Sequence, residues 1–192
     1  MRAAVVLAAG FSRRMGMDKL MLDVHGRPMY RHALALAAAL DVSLRVVVTN
    51  NPVIAREAGT MGFEVVPSPR AAGGMGFSVA AGAAALGDAE SAIFLNADQP
   101  DLQAETARRL FEICEQTGKI AVPTVNGAPR SPCAFPRRFF AALAALTGEQ
   151  GGRVIVRGHP EAAAFVDCTD CEGFADIDTR EDYARLDSKP GI

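Results

Sequence analysis

Tryptophan is absent from the 192 residues, aromatic side chains make up only 6%, and histidine occurs three times, at His25, His32 and His159. A core with few large rings has to be filled by small side chains. The hydrophobic fraction of 49%, dominated by alanine and valine, suits close packing of helices on a sheet. The histidines are scattered, and the four cysteines (114, 133, 168 and 171) include one Cys-x-x-Cys without a second pair at zinc spacing. Cys168 and Cys171 read as reduced thiols in a late loop, with a labile metal or redox pair as the alternative. Neither sign of charge is in surplus, with 20 basic against 22 acidic residues, so nothing global attracts nucleic acid or an anionic membrane. Any hold on phosphate must be local. No membrane span is expected, because the longest uncharged run, Ala71 to Gly87, is short and carries five glycines. The apolar start is too brief for a secretory signal and runs into Arg13-Arg14, which predicts a cytoplasmic protein. The Gly-x-x-x-x-Gly-Lys-Ser/Thr and Gly-x-Gly-x-x-Gly strings are both missing.

What the chain does contain begins at once. Ala3 to Leu7 is a short, uncharged, β-branched run that reads as a buried parallel strand. It empties into Ala8-Ala9-Gly10-Phe11-Ser12-Arg13-Arg14-Met15-Gly16-Met17-Asp18-Lys19. Small residues there let the main chain approach a ligand and present N–H groups to an anion. Arg13, Arg14 and Lys19 add charge where phosphate would lie, the arginines as bidentate forks and the lysine as a mobile point charge. The segment reads as a triphosphate loop, with a solvated basic turn as the alternative.

Strands and helices alternate from this point. Lys19 to Leu22 is expected to be extended, Pro28 to Leu40 helical, Leu44 to Thr49 a strand, Pro52 to about Thr60 a helix capped from Asn50-Asn51, and Phe63 to Val66 a strand. A β-α-β-α-β order predicts one domain with a mostly parallel twisted sheet in a three-layer α/β/α, Rossmann-like arrangement, ligand-binding ends along one edge. At this length such a domain buries roughly 70% of its unfolded surface and needs no covalent staple.

Four later segments carry candidate chemistry. Gly73-Gly74-Met75-Gly76-Phe77-Ser78 is a glycine-rich entry to a helix that can press main chain against a flat base, Ser78 adding a hydroxyl; the competing reading is a flexible crossover. Ser91 to Asn96 is a strand that delivers Asp98 at its carboxyl end, as a magnesium ligand or as a cap for the helix starting near Leu102. Thr147 to Arg153 is a glycine-rich turn or simply a linker. Phe174 to Tyr183 is expected to start as a strand, on which Asp176 and Asp178 share a face, and to become a helix capped by Asp178 or Thr179.

These strings, in this order, resemble the nucleotidyltransferase superfamily, in the branch of the molybdenum cofactor cytidylyltransferases. Leu7 to Lys19 resembles its Leu-Ala-Ala-Gly-x-Ser-x-Arg-Met-Gly-x-x-Lys signature, Asp98-Gln99-Pro100 its metal-holding Asp-Gln/Met-Pro, and Asp176-Ile177-Asp178-Thr179 its Asp-Ile-Asp-Thr. The resemblance covers essentially the whole chain. It implies that Arg14 and Lys19 stabilise the reacting phosphates, that Leu7, Ala8, Ala9, Gly10, Ser12, Arg13, Gly73, Gly74 and Ser78 hold the nucleotide, and that Asp98 and Asp178 hold Mg2+, with Asp176 in reserve. Arg130, Ser131 and Pro132 stand where the family has Gly-His and lines its acceptor pocket, and Gly151 and Gly152 belong to a turn that closes over the acceptor. The implied reaction is in-line transfer of CMP from CTP to a phosphomonoester, molybdopterin first, with release of pyrophosphate. Transient contact with a molybdoenzyme or its chaperone is implied too. The alternatives are a sugar, polyol or isoprenoid-precursor phosphate as acceptor, GTP as donor, or a nucleotide carrier without turnover.

Overall fold

The computed structural model describes residues 1–10 and 18–187, and the statements below concern those residues. In chain order come β1 (Arg2–Leu7), a 3-10 turn (Lys19–Met21), the hairpin of β2 (Asp23–Val24) and β3 (Arg27–Pro28), α1 (Met29–Ala38), β4 (Leu44–Val48), α2 (Pro52–Thr60) and β5 (Glu64–Val66). Then follow α3 (Met75–Ala84), β6 (Ser91–Asn96), α4 (Ala104–Thr117), β7 (Ile120–Val125), β8 (Ala128–Pro129), β9 (Cys133–Pro136), α5 (Phe140–Ala144), α6 (Arg153–Gly158), β10 (Ala163–Asp167) and α7 (Arg180–Asp187).

The strands lie in the order β10-β7-β9-β6-β1-β4-β5, with β8 beside β7. The β1, β4, β5 and β6 strands pair parallel, as do β7 and β10, while β9 runs antiparallel between β6 and β7. The sheet is therefore mostly parallel, as the β-α alternation predicts. β1 leads outward through β4 to β5, and the chain then returns to place β6 on the other side of β1. Such a reversal opens a crevice at the carboxyl ends of the two central strands.

Burial of both faces explains why β1 reads as an unbroken apolar run. Ala3, Ala4, Val5 and Val6 are all fully buried, and successive side chains leave opposite faces of a strand. Ala4 and Val6 join a cluster with Met29, Leu34, Ile54, Leu110 and Phe111, from α1, α2 and α4. Ala3 and Val5 join Val79, Ala83, Phe140, Leu143 and Val156, from α3, α5 and α6. Small residues set the spacing between layers: a Cβ on Gly82 would come within 2.6 Å of Val5 Cγ1, so α3 lies almost directly on β1.

Two expectations are corrected. Lys19 to Met21 is a 3-10 turn, because the Asp18 carboxylate accepts the Leu20 N–H and closes it. Residues 174–178 are not a strand, since the main chain there makes one such bond to the sheet edge, from Ile177 N–H to Asp98 O at 3.1 Å. The alternation survives nonetheless: Ile177 is 2% exposed in the core, and Asp176 and Asp178 face outward. The sequence reading did not resolve α6, β8 or β10, which are short. No helix among the described residues is long and apolar enough to cross a membrane.

Candidate active site

Lys19 stands at the centre. Its Nζ donates to Asp98 Oδ2 and to Asp178 Oδ1, each at 2.8 Å, joining three residues up to 159 positions apart. The Lys19 side chain is 13% exposed, Asp98 22% and Asp178 50%. Burial alone would lower the Lys19 pKa, yet the two carboxylates outweigh it and hold it above the ordinary lysine value.

Each partner is placed by identifiable local chemistry. The β1–β6 register sets Leu7 opposite Asn96, and Ala97 N–H donates to Leu7 O at 3.1 Å, so Asp98 emerges beside the loop that leaves β1. Asp98 does not cap α4, whose N-cap is Gln103. Asp18 fixes the turn bearing Lys19, its second oxygen accepting from Asn51 Nδ2 at 2.8 Å. Asp178 is released from capping because its neighbour does that work: Thr179 Oγ1 accepts the Asp182 N–H, and Asp182 Oδ2 accepts the Thr179 N–H, a reciprocal box at the start of α7.

Gln99 ties the segments together. It is 3% exposed, and its Nε2 donates to Ser131 O at 3.2 Å and Phe174 O at 3.4 Å, while Oε1 is buried without a hydrogen bond. Gly173, at φ +92, packs so tightly that a Cβ would strike the Asp101 carbonyl. This strap, with the Ile177–Asp98 bond, carries the late acids back to the first loop.

A cavity of about 540 Å3 opens over these residues, lined by Leu7, Ala9, Gly10, Lys19, Gly74, Ser78, Asp98 and Asp178 together with Ala71, Ala72, Met75, Asn96 and Glu149. Eight expected site residues thus share one wall system. Ala8 is turned into the sheet instead: its N–H donates to Val48 O and its carbonyl accepts from Thr49 Oγ1. Gly73 is exposed and does not line the cavity, its N–H donating to Arg70 O. Ser12, Arg13 and Arg14 lie outside the described residues. Gly74, at φ +126, adopts a conformation that L side chains avoid, and a Cβ there would land on the Gly148 carbonyl. Gly76 N–H donates to Gly148 O at 2.9 Å. The two glycine-rich loops are therefore stitched backbone to backbone.

A second cavity of about 470 Å3 adjoins the first, sharing Leu7, Met75, Asn96 and Glu149. Ser131, Gly151 and Gly152 line it, as do Val79, Phe94, Phe135, Arg153, Arg157 and Asp176. Arg130 and Pro132 do not: Arg130 is exposed beyond it, and Pro132 is buried behind it.

The MobA-like NTP transferase domain, as a family model, matches residues 4–163. The chain belongs to this family. Purine catabolism protein PucB of Bacillus subtilis (strain 168) is 30% identical over 192 residues, 93% of this chain and 92% of that protein. Bifunctional protein GlmU of Maricaulis maris (strain MCS10) is 36% identical over 140 residues, 71% of this chain, which spans 30% of the length of GlmU. Among solved structures, a homologue of Mycobacterium tuberculosis Rv0371c from Mycobacterium sp. strain JC1 superposes with a TM-score of 0.82 at 26% identity, covering 96% of this chain and 94% of that one. Rv0371c of M. tuberculosis H37Rv in complex with manganese shares the fold, with a TM-score of 0.73 at 23% identity over 98% and 99% of the two chains.

As a MobA-like NTP transferase domain the protein is an enzyme of the nucleotidyltransferase type. The acids of its site fit a divalent cation. Asp176 keeps a solvent-open side, but its pKa is pushed up to about 6, by desolvation first and then by the charges of Asp98 and Asp178. Asp98 and Asp178 share the single Lys19 ammonium. Among the described residues no three His, Cys, Asp or Glu side chains converge closely enough to hold a metal alone. Magnesium, which completes its shell with phosphate oxygens and water, needs only one or two carboxylates. Sequence reasoning gave no role to Asn96, Glu149, Gln99 or Arg157, although Gln99 stands in the Asp98-Gln99-Pro100 string and Glu149 is the acid within the Gly148–Gly152 turn.

Proposed function

We propose that the protein transfers CMP from CTP to a phosphomonoester acceptor, molybdopterin in first place, and releases pyrophosphate with the help of Mg2+. The observation that carries this reading is the convergence of Lys19, Asp98 and Asp178 on the loop that leaves β1, in a cavity large enough for a nucleotide. Ala9 and Gly10 offer main chain to the triphosphate, and the stitched Gly74 and Gly148 loops form the opposite wall, beside Ser78. Lys19 sits where it can pass from the carboxylates to phosphate oxygens and neutralise charge as it builds up. Asp98 and Asp178 would hold the divalent cation, which supplies Lewis-acid stabilisation of the phosphates when bound. The adjoining cavity receives the acceptor, so its phosphate meets the α-phosphorus at the shared Asn96–Glu149 wall. Positioning and charge neutralisation suffice, and no covalent enzyme intermediate is needed. The run Ala8-Ala9-Gly10, where guanylyl-transferring relatives resemble Ala-Gly-Gly, favours CTP over GTP.

The test is pyrophosphate release with CTP, GTP, ATP and UTP, each against molybdopterin and a panel of sugar, polyol and isoprenoid-precursor phosphates, in Mg2+ or Mn2+. Release should require the metal, be fastest with CTP and molybdopterin, and vanish in Asp98→Ala. Absence of release with every pair would end the reading, and a different best pair would change the donor or acceptor.

A further inference from the structure

Two arginines line the second cavity. Arg153 and Arg157 stand four residues apart on α6 and both line it. Among the described residues neither makes a hydrogen bond or ion pair, whereas Arg2, Arg31, Arg108 and Arg137 all lie against carboxylates. Like charges at this helical spacing repel, so the arrangement costs the helix stability and gives it no internal contact. Asp176 lines the same cavity. The rest of the lining includes the apolar Val79, Cys133 and Val154, backed by the buried Phe94 and Phe135, whose rings meet edge to face with centroids 5.8 Å apart.

We infer that Arg153 and Arg157 form the anion clamp of the acceptor subsite, gripping the phosphate of a phosphomonoester whose body lies along the apolar part of the wall. Planar guanidinium forks match phosphate oxygens in pairs, and two of them one turn apart suit a dianion. The clamp directs the phosphate toward Asn96 and the wall shared with the nucleotide cavity, leaving the body of the acceptor on the apolar side. This assignment rests on the nucleotidyl-transfer reading for its place in the reaction but not for the binding itself.

Binding is therefore tested without turnover, by calorimetric titration of the full chain with phenyl phosphate, glycerol 3-phosphate and inorganic phosphate as probes, and separately with CTP and Mg2+. Phenyl phosphate should bind most tightly. Arg153→Ala and Arg157→Ala should each weaken it by about tenfold or more, the order expected for a lost charge-assisted contact, and Arg157→Lys by less. CTP affinity should stay at its wild-type value and the melting temperature should not fall, because both side chains are exposed, line the second cavity and not the first, and repel each other. Unchanged phenyl phosphate affinity in both alanine variants would overturn the clamp. Equal affinity for glycerol 3-phosphate would overturn the role of the apolar lining. Loss of CTP binding alongside phenyl phosphate would overturn the separation of the two subsites. Probe binding that depends on the arginines in a protein that releases no pyrophosphate would keep the clamp and remove the transfer reaction.

Discussion

Replacing Lys19 by methionine keeps an unbranched stem, one atom shorter, and deletes the charge, which isolates the role of the ammonium between Asp98 and Asp178. Both contacts are 2.8 Å, and hydrogen bonds to charged groups contribute about 1.5–3 kcal/mol each when shielded from water. Asp178 is half exposed, so its share falls toward the ~1 kcal/mol or less of a surface pair. Returning a 13% exposed lysine charge to no desolvation at all recovers part of the remainder. A net loss of about 2 kcal/mol follows, a fall of roughly 4–8 °C in melting temperature for a chain of this size. The variant leaves Asp98 and Asp178 without the ammonium they share, and a divalent cation should then restore stability. At a hundred times its dissociation constant, a ligand of the folded state contributes about 2.7 kcal/mol, enough to cancel the loss. The same ion has to displace the ammonium in the wild type, so its effect there is smaller.

The assay is a thermal melt of both proteins across a manganese or magnesium titration, paired with calorimetric metal binding and pyrophosphate release. Lys19→Met should melt lower in chelator, show the larger metal-induced rise, bind the metal more tightly, and release pyrophosphate about a hundredfold more slowly or worse, as expected when a charge stabilising the transition state is removed. A variant that melts with the wild type and binds metal with unchanged affinity would refute the counter-ion argument, whatever its activity. Unchanged release would refute the catalytic one.

Gly74→Ala places a Cβ on the Gly148 carbonyl at a φ of +126, and should cost about 3 kcal/mol or more and raise the KM for CTP, read by melting and initial rates. Gln99→Leu strips the Ser131 and Phe174 carbonyls of their donor, a loss of about 1–3 kcal/mol, and should weaken manganese binding by letting Asp178 drift; calorimetry at the metal site separates this from a purely global effect. His32 is held neutral: Nε2–H donates to Val24 O, Nδ1 faces the Arg27 guanidinium, and burial first, then the Arg27 charge, lowers its pKa from the usual 6.5. The unfolded chain therefore binds more protons at this residue below about pH 6.5, so its contribution is full above that pH and lost as the pH falls toward the native pKa; urea midpoints should drop less between pH 7.5 and 5 in His32→Gln than in the wild type.

The parts that could be read from the sequence are those in which a local pattern and a long-range contact make the same demand. Ala3 to Leu7 is apolar without alternation because both faces of β1 are covered, and that alone places it inside a parallel sheet. Asp98 could be placed at the ligand edge because it directly follows a strand parallel to β1. The short elements α6 and β10 were not legible for the opposite reason: their six and five residues carry little periodicity, and β10 earns its strand geometry only by pairing with β7. The 3-10 turn at Lys19 depended on one Asp18 carboxylate, whose acceptor role competes with a dozen equally plausible ones until the fold is known.

The late acids show most clearly where sequence reasoning stops. Alternation along 174–178 puts Asp176 and Asp178 on one side and Ile177 on the other, and this is correct although no strand forms. A buried Ile177 is enough to orient the segment, with a single main-chain bond to Asp98 to set its depth. Which of the two acids would meet Lys19 was not decided by alternation, since both face the same way. It is decided by the box between Thr179 and Asp182, which starts α7 immediately after Asp178 and anchors that residue's own N–H on Asp182 Oδ2 at 3.3 Å. Removing the Thr179 hydroxyl should therefore act at a distance of one residue. Thr179→Ala costs about 1 kcal/mol as a lost cap, and if the cap is what holds Asp178 in place, manganese affinity falls in Thr179→Ala while Thr179→Ser, which keeps the hydroxyl, retains it. Equal metal affinity in both variants would show that Ile177 and Gln99 suffice to position the carboxylate.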